Sequence, residues 1–148
     1  MFRNLLNGNR DLYLMQSGDN GNSFGHAQKL GTGSWQLNGC PMDGGGLAIS
    51  DRGVVQTVWR RRNKIYSATS GSDEIELGEG KGCNIETVNG INIYAWTDSN
   101  GDLVCLLPRG AKKIIGKGKL PLLKSLSNNE VICVWEDDKI IKSTILTL

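Results

Sequence analysis

The chain of 148 residues has little proline (three residues), a single histidine and no long apolar run. A transmembrane helix needs about 20 consecutive apolar residues. The most apolar stretch here, Val131 to Trp135, has five. The start, Met1-Phe2-Arg3-Asn4-Leu5-Leu6-Asn7, lacks the charged-then-apolar layout and small-residue cleavage site of a signal peptide. Read as it stands, the chain is expected to be soluble and cytoplasmic. It also lacks charge of one sign: 17 basic against 15 acidic residues leave a net charge of +2. Nucleic acids and membrane surfaces require a concentrated basic field, so neither is expected as a partner. The four cysteines, Cys40, Cys83, Cys105 and Cys133, form no Cys-x-x-Cys pair and have no histidine nearby. That excludes the zinc patterns, and no metal or cofactor is expected. Four cysteines in a chain this long do not make a disulfide scaffold. Cys105 and Cys133 fall in apolar runs and read as small buried residues. Cys40 and Cys83 fall in Gly-rich connections and read as exposed. A disulfide between them is allowed but not expected.

What the chain has in abundance is glycine, 20 residues without a three-residue period. That excludes collagen and indicates a protein rich in turns. Turn signals recur at Asp51-Arg52-Gly53, Arg62-Asn63, Gly71-Ser72-Asp73, Asn89-Gly90, Ser99-Asn100-Gly101-Asp102, Arg109-Gly110, Asn128-Asn129 and Asp137-Asp138. Asn, Asp and Gly tolerate the positive φ that matches a tight turn to the twist of its flanking strands. Between the signals lie short runs rich in β-branched and aromatic residues, such as Val54 to Trp59, Ile91 to Trp96 and Val131 to Trp135. No segment sustains helical spacing for three turns without a glycine. The pattern specifies an all-β fold.

A repeat runs through these strands. Val58-Trp59, Ala95-Trp96 and Val134-Trp135 each end a strand, with the tryptophans 37 and 39 residues apart. Each tryptophan follows a strand and a tight turn and precedes a turn and a third strand. A fourth strand, Glu74 to Leu77 or Ala111 to Ile115, closes the first two units before a Gly-rich link, Gly78 to Gly82 or Gly116 to Gly118. Four antiparallel strands in about 40 residues is the size of one propeller blade. Both faces of the Trp-bearing strand are apolar, as in a blade packed between neighbours; an ordinary sandwich strand has one wet face. A two-sheet sandwich with accidentally recurring tryptophans is the alternative. The count gives two whole units, an opening unit that begins at its second strand, and a closing unit that stops after its third. The expectation is therefore a partial β-propeller of about four blade-like units forming one domain over residues 1–148.

Near the front, Ser17-Gly18-Asp19-Asn20-Gly21-Asn22-Ser23-Phe24 reads Ser-x-Asp-x-Gly-x-x-aromatic. The aspartate can accept hydrogen bonds from backbone N–H groups of a tight turn, and the glycine takes angles other residues avoid. The aromatic is expected to fold back into the sheet and anchor the hairpin. With Ser17, Asp19, Gly21 and Phe24 in place, the segment resembles the Asp box (BNR repeat) of the sialidase superfamily. Arg10-Asp11-Leu12-Tyr13-Leu14 before it and Cys40-Pro41-Met42-Asp43-Gly44-Gly45-Gly46 after it resemble bacterial sialidase-like propellers. The resemblance implies a propeller, usually of six blades, with ligands at the centre of one face and the box away from that face.

Sialidases also clamp a substrate carboxylate with three arginines, a bidentate task suited to guanidinium, and use a tyrosine nucleophile, a glutamate and an aspartate. Phe2-Arg3 resembles the start of their Phe-Arg-Ile-Pro signature, with Asn4-Leu5 in place of Ile-Pro. The repeat aligns Phe2-Arg3 with Trp59-Arg60, which makes the end of a second strand the simpler role for Arg3. Tyr13, Tyr66 and Tyr94 lie mid-strand, where packing is expected, and no paired carboxylates stand out. His26 has no evident partner; Gly116-Lys117 lacks the Ser or Thr of a phosphate loop. Residues Arg3, Arg10, Asp43 and Arg60 are the candidates for ligand contact, and no catalytic residue is assigned.

The expected function is a non-catalytic sialidase-like module that binds a carbohydrate or other small ligand. A sialidase-type exo-glycosidase assembled between subunits and a protein-interaction scaffold are the alternatives. A partial ring exposes apolar faces and strand edges, which promote association. A homodimer or higher homo-oligomer is therefore expected, with four blades closing on themselves as the competing arrangement.

Overall fold

The computed structural model describes residues 1–148 and is all-β, with one 3₁₀ turn at Pro108–Gly110. Its strands are β1 (Phe2–Arg3), β2 (Leu12–Leu14), β3 (Gln28–Lys29), β4 (Gly46–Ile49), β5 (Val55–Arg61), β6 (Lys64–Thr69) and β7 (Ile75–Glu79). They continue as β8 (Lys81–Val88), β9 (Ile91–Thr97), β10 (Asp102–Leu106), β11 (Lys112–Lys117), β12 (Lys119–Ser127), β13 (Glu130–Asp137) and β14 (Ile140–Thr147). Hydrogen bonding groups them into four antiparallel meanders: β1-β2-β3, β4-β5-β6-β7, β8-β9-β10-β11 and β12-β13-β14. None closes into a barrel. These are the four blade-like units of a partial propeller, and the first and last have three strands each, as the repeat count requires.

Stacking of the sheets follows from the second strands. Alternate residues of a strand point to opposite faces, and in β5 every residue from Val55 to Trp59 is buried. In β9 the same holds from Ile93 to Thr97. Three apolar clusters result, one at each junction. Leu12, Leu14 and Leu30 of the first unit meet Val55, Trp59 and Ala68 of the second. Val58, Ile65 and Leu77 meet Ile85, Tyr94 and Trp96. Ile93, Ala95, Leu103 and Cys105 meet Val131, Cys133, Trp135 and Leu146. No cluster joins the last unit to the first, so the four units do not close a ring on themselves.

Trp59, Trp96 and Trp135 occupy one position in this scheme. Each points from the second strand of its sheet into the junction with the sheet before it. There the indole lies against a glycine of the previous unit. A β-carbon added to Gly31, Gly78 or Gly116 would lie 2.9, 2.9 or 3.1 Å from the Cζ2 of Trp59, Trp96 or Trp135. Two residues on, a β-carbon at Gly80 or Gly118 would come within 2.2 or 2.3 Å of the carbonyl oxygen of Thr97 or Glu136. The Trp135 indole N–H also donates to the Lys117 carbonyl at 3.0 Å. The supposed Gly-rich links are therefore strand and junction. Gly78 lies in β7, Gly82 in β8 and Gly116 in β11, leaving only Gly80 and Gly118 between strands. Glycine stands there because a neighbouring ring and backbone need the space a side chain would fill.

Three expectations need correction. The first is that β13 packs on both faces. Val131, Cys133 and Trp135 are buried, but Ile132 and Val134 are only half-buried, because no sheet follows them. The second is that Phe24 anchors the box hairpin; it is 59% exposed. The Ser17–Ser23 turn satisfies its own polar groups, and no strand begins until Gln28 to hold the ring against a sheet. The third is that Cys83 is exposed. It is buried in the junction of the second and third units, where burial pushes its thiol up to about 12. Cys40 is exposed, Cys105 and Cys133 are buried, and all four thiols are free. Cys105 and Cys133 share the cluster at the last junction, and the neighbouring Cys133 thiol, together with burial, raises the Cys105 pKa.

Candidate functional site

The two rims of the array differ in chemistry. Strand direction places the ends of β1 and β5 on one rim, together with the starts of β4, β8 and β12. The Ser17–Phe24 turn lies on the other, beside the hairpins at 51–53, 89–90 and 128–129. The first rim collects the cations. Arg3 ends β1 there, Arg60 is the penultimate residue of β5, and Lys81 and Lys119 begin β8 and β12.

All four ligand-contact candidates named from the sequence converge on this rim. The Arg3 guanidinium donates from Nη1 to the Arg10 carbonyl at 2.7 Å and from Nη2 to the Arg60 carbonyl at 3.0 Å and the Asp43 carbonyl at 3.4 Å. Burial lowers its pKa, with Asp43 opposing the effect. Arg3 is thus a staple that ties β1 to the end of β5 and to the loop before β4, and its terminal nitrogens are engaged with the main chain. Arg10 contributes its carbonyl to this knot. Arg60 Nε lies 2.7 Å from Asp43 Oδ2. The contact is off the N–H axis, so it is a Coulombic pair in which neither Arg60 Nε nor either Asp43 oxygen makes a hydrogen bond.

Trp35, absent from the sequence candidates, is the floor of the knot. The guanidinium carbons of Arg3 and Arg60 lie 5.4 and 5.3 Å from its ring centroid, within cation–π range. Its backbone N–H donates to Asp11 at 2.9 Å, and Asp11 also accepts from Ser34 at 2.8 Å and pairs with Lys29 at 3.1 Å. Burial raises the Asp11 pKa, but these donors outweigh it and hold the carboxyl below its ordinary value. Trp35 sits alone in a Gly/Ser segment, which is why the strand pattern passes it over.

Beside the knot, a cavity of about 240 Å³ opens at the mouth of the first strands. It is lined by Met42, Asp43, Arg60, Lys81, Gly82, Thr97, Lys119 and Leu120. The register of β8 slips between Lys81 and Asn84, and that of β12 between Lys119 and Leu122. These matching bulges splay the strands apart at the rim. Asn84 then closes them below by accepting from the Leu123 N–H at 2.9 Å. Gly82 and Leu120 occupy the same bulge position with φ of 61° and 56°. Leucine in the left-handed region is strained by roughly 1 kcal/mol or more, and strain of this kind gathers at functional sites. Thr97 is 3% exposed and its hydroxyl has no partner.

The opposite rim holds a polar cavity of about 680 Å³ between the hairpins at 50–54 and 89–92. Beneath it, the Gln56 amide donates to Ser67 at 3.0 Å and Tyr94 at 3.3 Å and accepts from Thr69 at 2.7 Å. Thr87, also on its wall, donates to Asn92 at 2.7 Å. The box turn lies on this rim and is likewise self-contained. Asp19 accepts from the Ser23 hydroxyl at 2.6 Å, the Ser23 N–H at 2.8 Å and the Ser17 hydroxyl at 2.8 Å, and Ser17 accepts from the Gly21 N–H at 2.8 Å. Those bonds hold the Asp19 pKa down to about 2.

Tyr94 is committed to the Gln56 network, and Tyr66 stacks on Trp59 at 6.2 Å. His26 is exposed and outside any strand. No group of three or more His, Cys, Asp or Glu residues is arranged to hold a metal ion. No helix is long and apolar enough to cross a membrane. Fold and site together define an open, propeller-like array with one basic rim. No family model matches the chain, and neither does any curated protein.

Proposed function

We propose that the chain is a non-catalytic, sialidase-like propeller module that binds a small acidic carbohydrate at its basic rim. The observation that carries this reading is the Thr97 hydroxyl, buried without a partner at the 240 Å³ cavity beside Lys81 and the Arg60–Asp43 ion pair. Buried polar atoms without partners are rare and call for a ligand or ordered water. Of the cations at the opening, Arg60 pairs with Asp43 and Lys119 with Glu136 at 3.0 Å, which leaves the Lys81 charge to meet an anion. Leu120 and Met42, exposed to 65% and 94%, offer apolar surface to one side of a sugar ring. The volume falls below the roughly 300 Å³ at which drug-sized sites begin, so it suits a single ring. The Ser17–Phe24 turn, on the rim away from this cavity, supports the resemblance to the sialidase superfamily.

The test is calorimetric titration with N-acetylneuraminic acid and, in parallel, with galactose. The acidic sugar should bind, galactose should not, and Lys81→Ala should weaken binding by about tenfold, as loss of one charged contact does. Equal binding of the two sugars, or none by either, would overturn the reading. A fluorogenic sialoside should show no turnover; turnover abolished by Arg60→Ala would establish the enzyme instead.

A further inference from the structure

Between the first and second units lies a much smaller cavity, of about 10 Å³. Arg3, Arg10 and Asp11 line it from the first unit, and Trp59 and Arg61 from the second. A cavity of about 10–15 Å³ has room for a single water-sized guest.

The charges around this cavity do not balance. Asp11 pairs with Lys29 at 3.1 Å, and its oxygens also accept from the Trp35 N–H and the Ser34 hydroxyl. Arg61 forks onto the Glu74 carboxylate with bonds of 2.7 and 2.6 Å. Asp43 offers Arg3 only its carbonyl and gives its carboxylate to Arg60 at 2.7 Å. Each of these carboxylates has its own cation, and Arg3 and Arg10 are left with no carboxylate between them.

The same two arginines hold unpartnered donors. Arg3 spends its terminal nitrogens on main-chain carbonyls, yet its Nε–H is buried without an acceptor, and so is that of Arg10. Buried charge without a counterion is expensive, and buried donors in native proteins nearly always find an acceptor. A water molecule would accept from the two N–H groups but leave both charges uncompensated. An anion does both. The small volume restricts it to a monatomic ion, since phosphate, sulfate or a sugar carboxylate needs more room.

We infer that this cavity is a halide site, which takes a chloride ion between the Nε–H groups of Arg3 and Arg10. Both side chains are half-buried, so their ends can shift to fit an ion larger than water. Arg3 already staples β1 to the end of β5, and the ion draws Arg10 into the same knot. The site shares no lining residue with the 240 Å³ cavity, so it is independent of the sugar-binding reading.

Thermal unfolding of the whole chain at constant ionic strength, in sodium chloride against sodium gluconate, tests it. Gluconate is too large to enter. Arg10→Gln removes one of the two charges with its Nε–H and leaves the carbonyl that Arg3 binds. At chloride tenfold above its Kd the wild type should melt about 5 °C higher than in gluconate, and Arg10→Gln should lose that difference. A bromide-soaked crystal of the wild type should show an anomalous peak in the cavity, and that peak decides alone if Arg10→Gln does not fold. Equal melting of the wild type in the two salts, an undiminished chloride response in Arg10→Gln, or a cavity without the bromide peak would overturn the inference.

Discussion

Strands β9 and β13 carry nearly the same message in sequence, Ile-Tyr-Ala-Trp against Ile-Cys-Val-Trp, yet they live in different surroundings. In β9 both faces are sealed, and Ile93 is 0% exposed between the third and fourth sheets. In β13 the Trp135 face is sealed, but Ile132 and Val134 look outward. The pattern of a strand records which faces are apolar, whereas burial depends on whether a neighbour is there to cover them.

The largest expected effect lies on the sealed side. Ile93→Ala removes a side chain wedged between two sheets and should cost about 3 kcal/mol, read from urea unfolding with linear extrapolation. A cost below about 1 kcal/mol would mean that the third junction is looser than its packing shows. Next come the glycines at the tryptophan junctions. Gly80→Ala and Gly118→Ala each drive a β-carbon onto a backbone oxygen, at 2.2 and 2.3 Å, and should each cost about 2 kcal/mol. Their similarity matters, because the middle and last sheets bury this face alike. A cheap Gly118→Ala beside a costly Gly80→Ala would break the equivalence.

Ile132→Ala should cost less than about 1 kcal/mol in dilute protein, since half-exposed side chains have less to lose. A cost as large as that of Ile93→Ala would contradict the half-exposed setting of Ile132.

The smallest effect concerns Asp19. Its pKa is depressed in the folded turn to about 2, against an ordinary 3.8. The sign follows from linkage: the stabilisation is present above pH 4 and is lost as pH falls toward 2. Amide exchange at Gly21 and Ser23 should accelerate over that interval in wild type, and Asp19→Asn should remove the pH dependence. The rest of the array should be unaffected, since the turn is exposed and bonded only to itself.

Much of the fold was legible in the residues. Alternating apolar strands, turns at Asn89-Gly90 and Asn128-Asn129, and the recurring tryptophans specified the meanders and their order. The Gly-x-Gly pairs were visible too, but their meaning was hidden. Glycine in a turn and glycine beneath an indole look identical in one dimension, and only the position of Trp96 against Gly78 separates them. Phe24 misled for a related reason. A box motif states which groups can close the turn, but says nothing about whether a sheet lies within reach of the ring.

The site was legible in part. Arg3, Arg10, Asp43 and Arg60 were chosen for their chemistry, and the sheets bring them to one rim across a separation of 57 residues. Trp35, Lys81, Thr97 and Lys119 were missed. The convergence of Lys81, Thr97 and Lys119 depends on the matching bulges in β8 and β12, and nothing local announces a register slip at Lys119-Leu120-Pro121. The Arg3 guanidinium illustrates the same limit. Its residue type suggested a carboxylate clamp, but its three carbonyl acceptors come from distant segments that only the folded chain assembles.

Proton–proton Overhauser measurements on the indole rings test the stacked repeat most directly. Trp59, Trp96 and Trp135 should each show cross-peaks from Hζ2 to the α-protons of a single glycine, Gly31, Gly78 and Gly116 respectively. Indole protons that instead see unrelated residues, with no such glycine contact in any unit, would contradict the account.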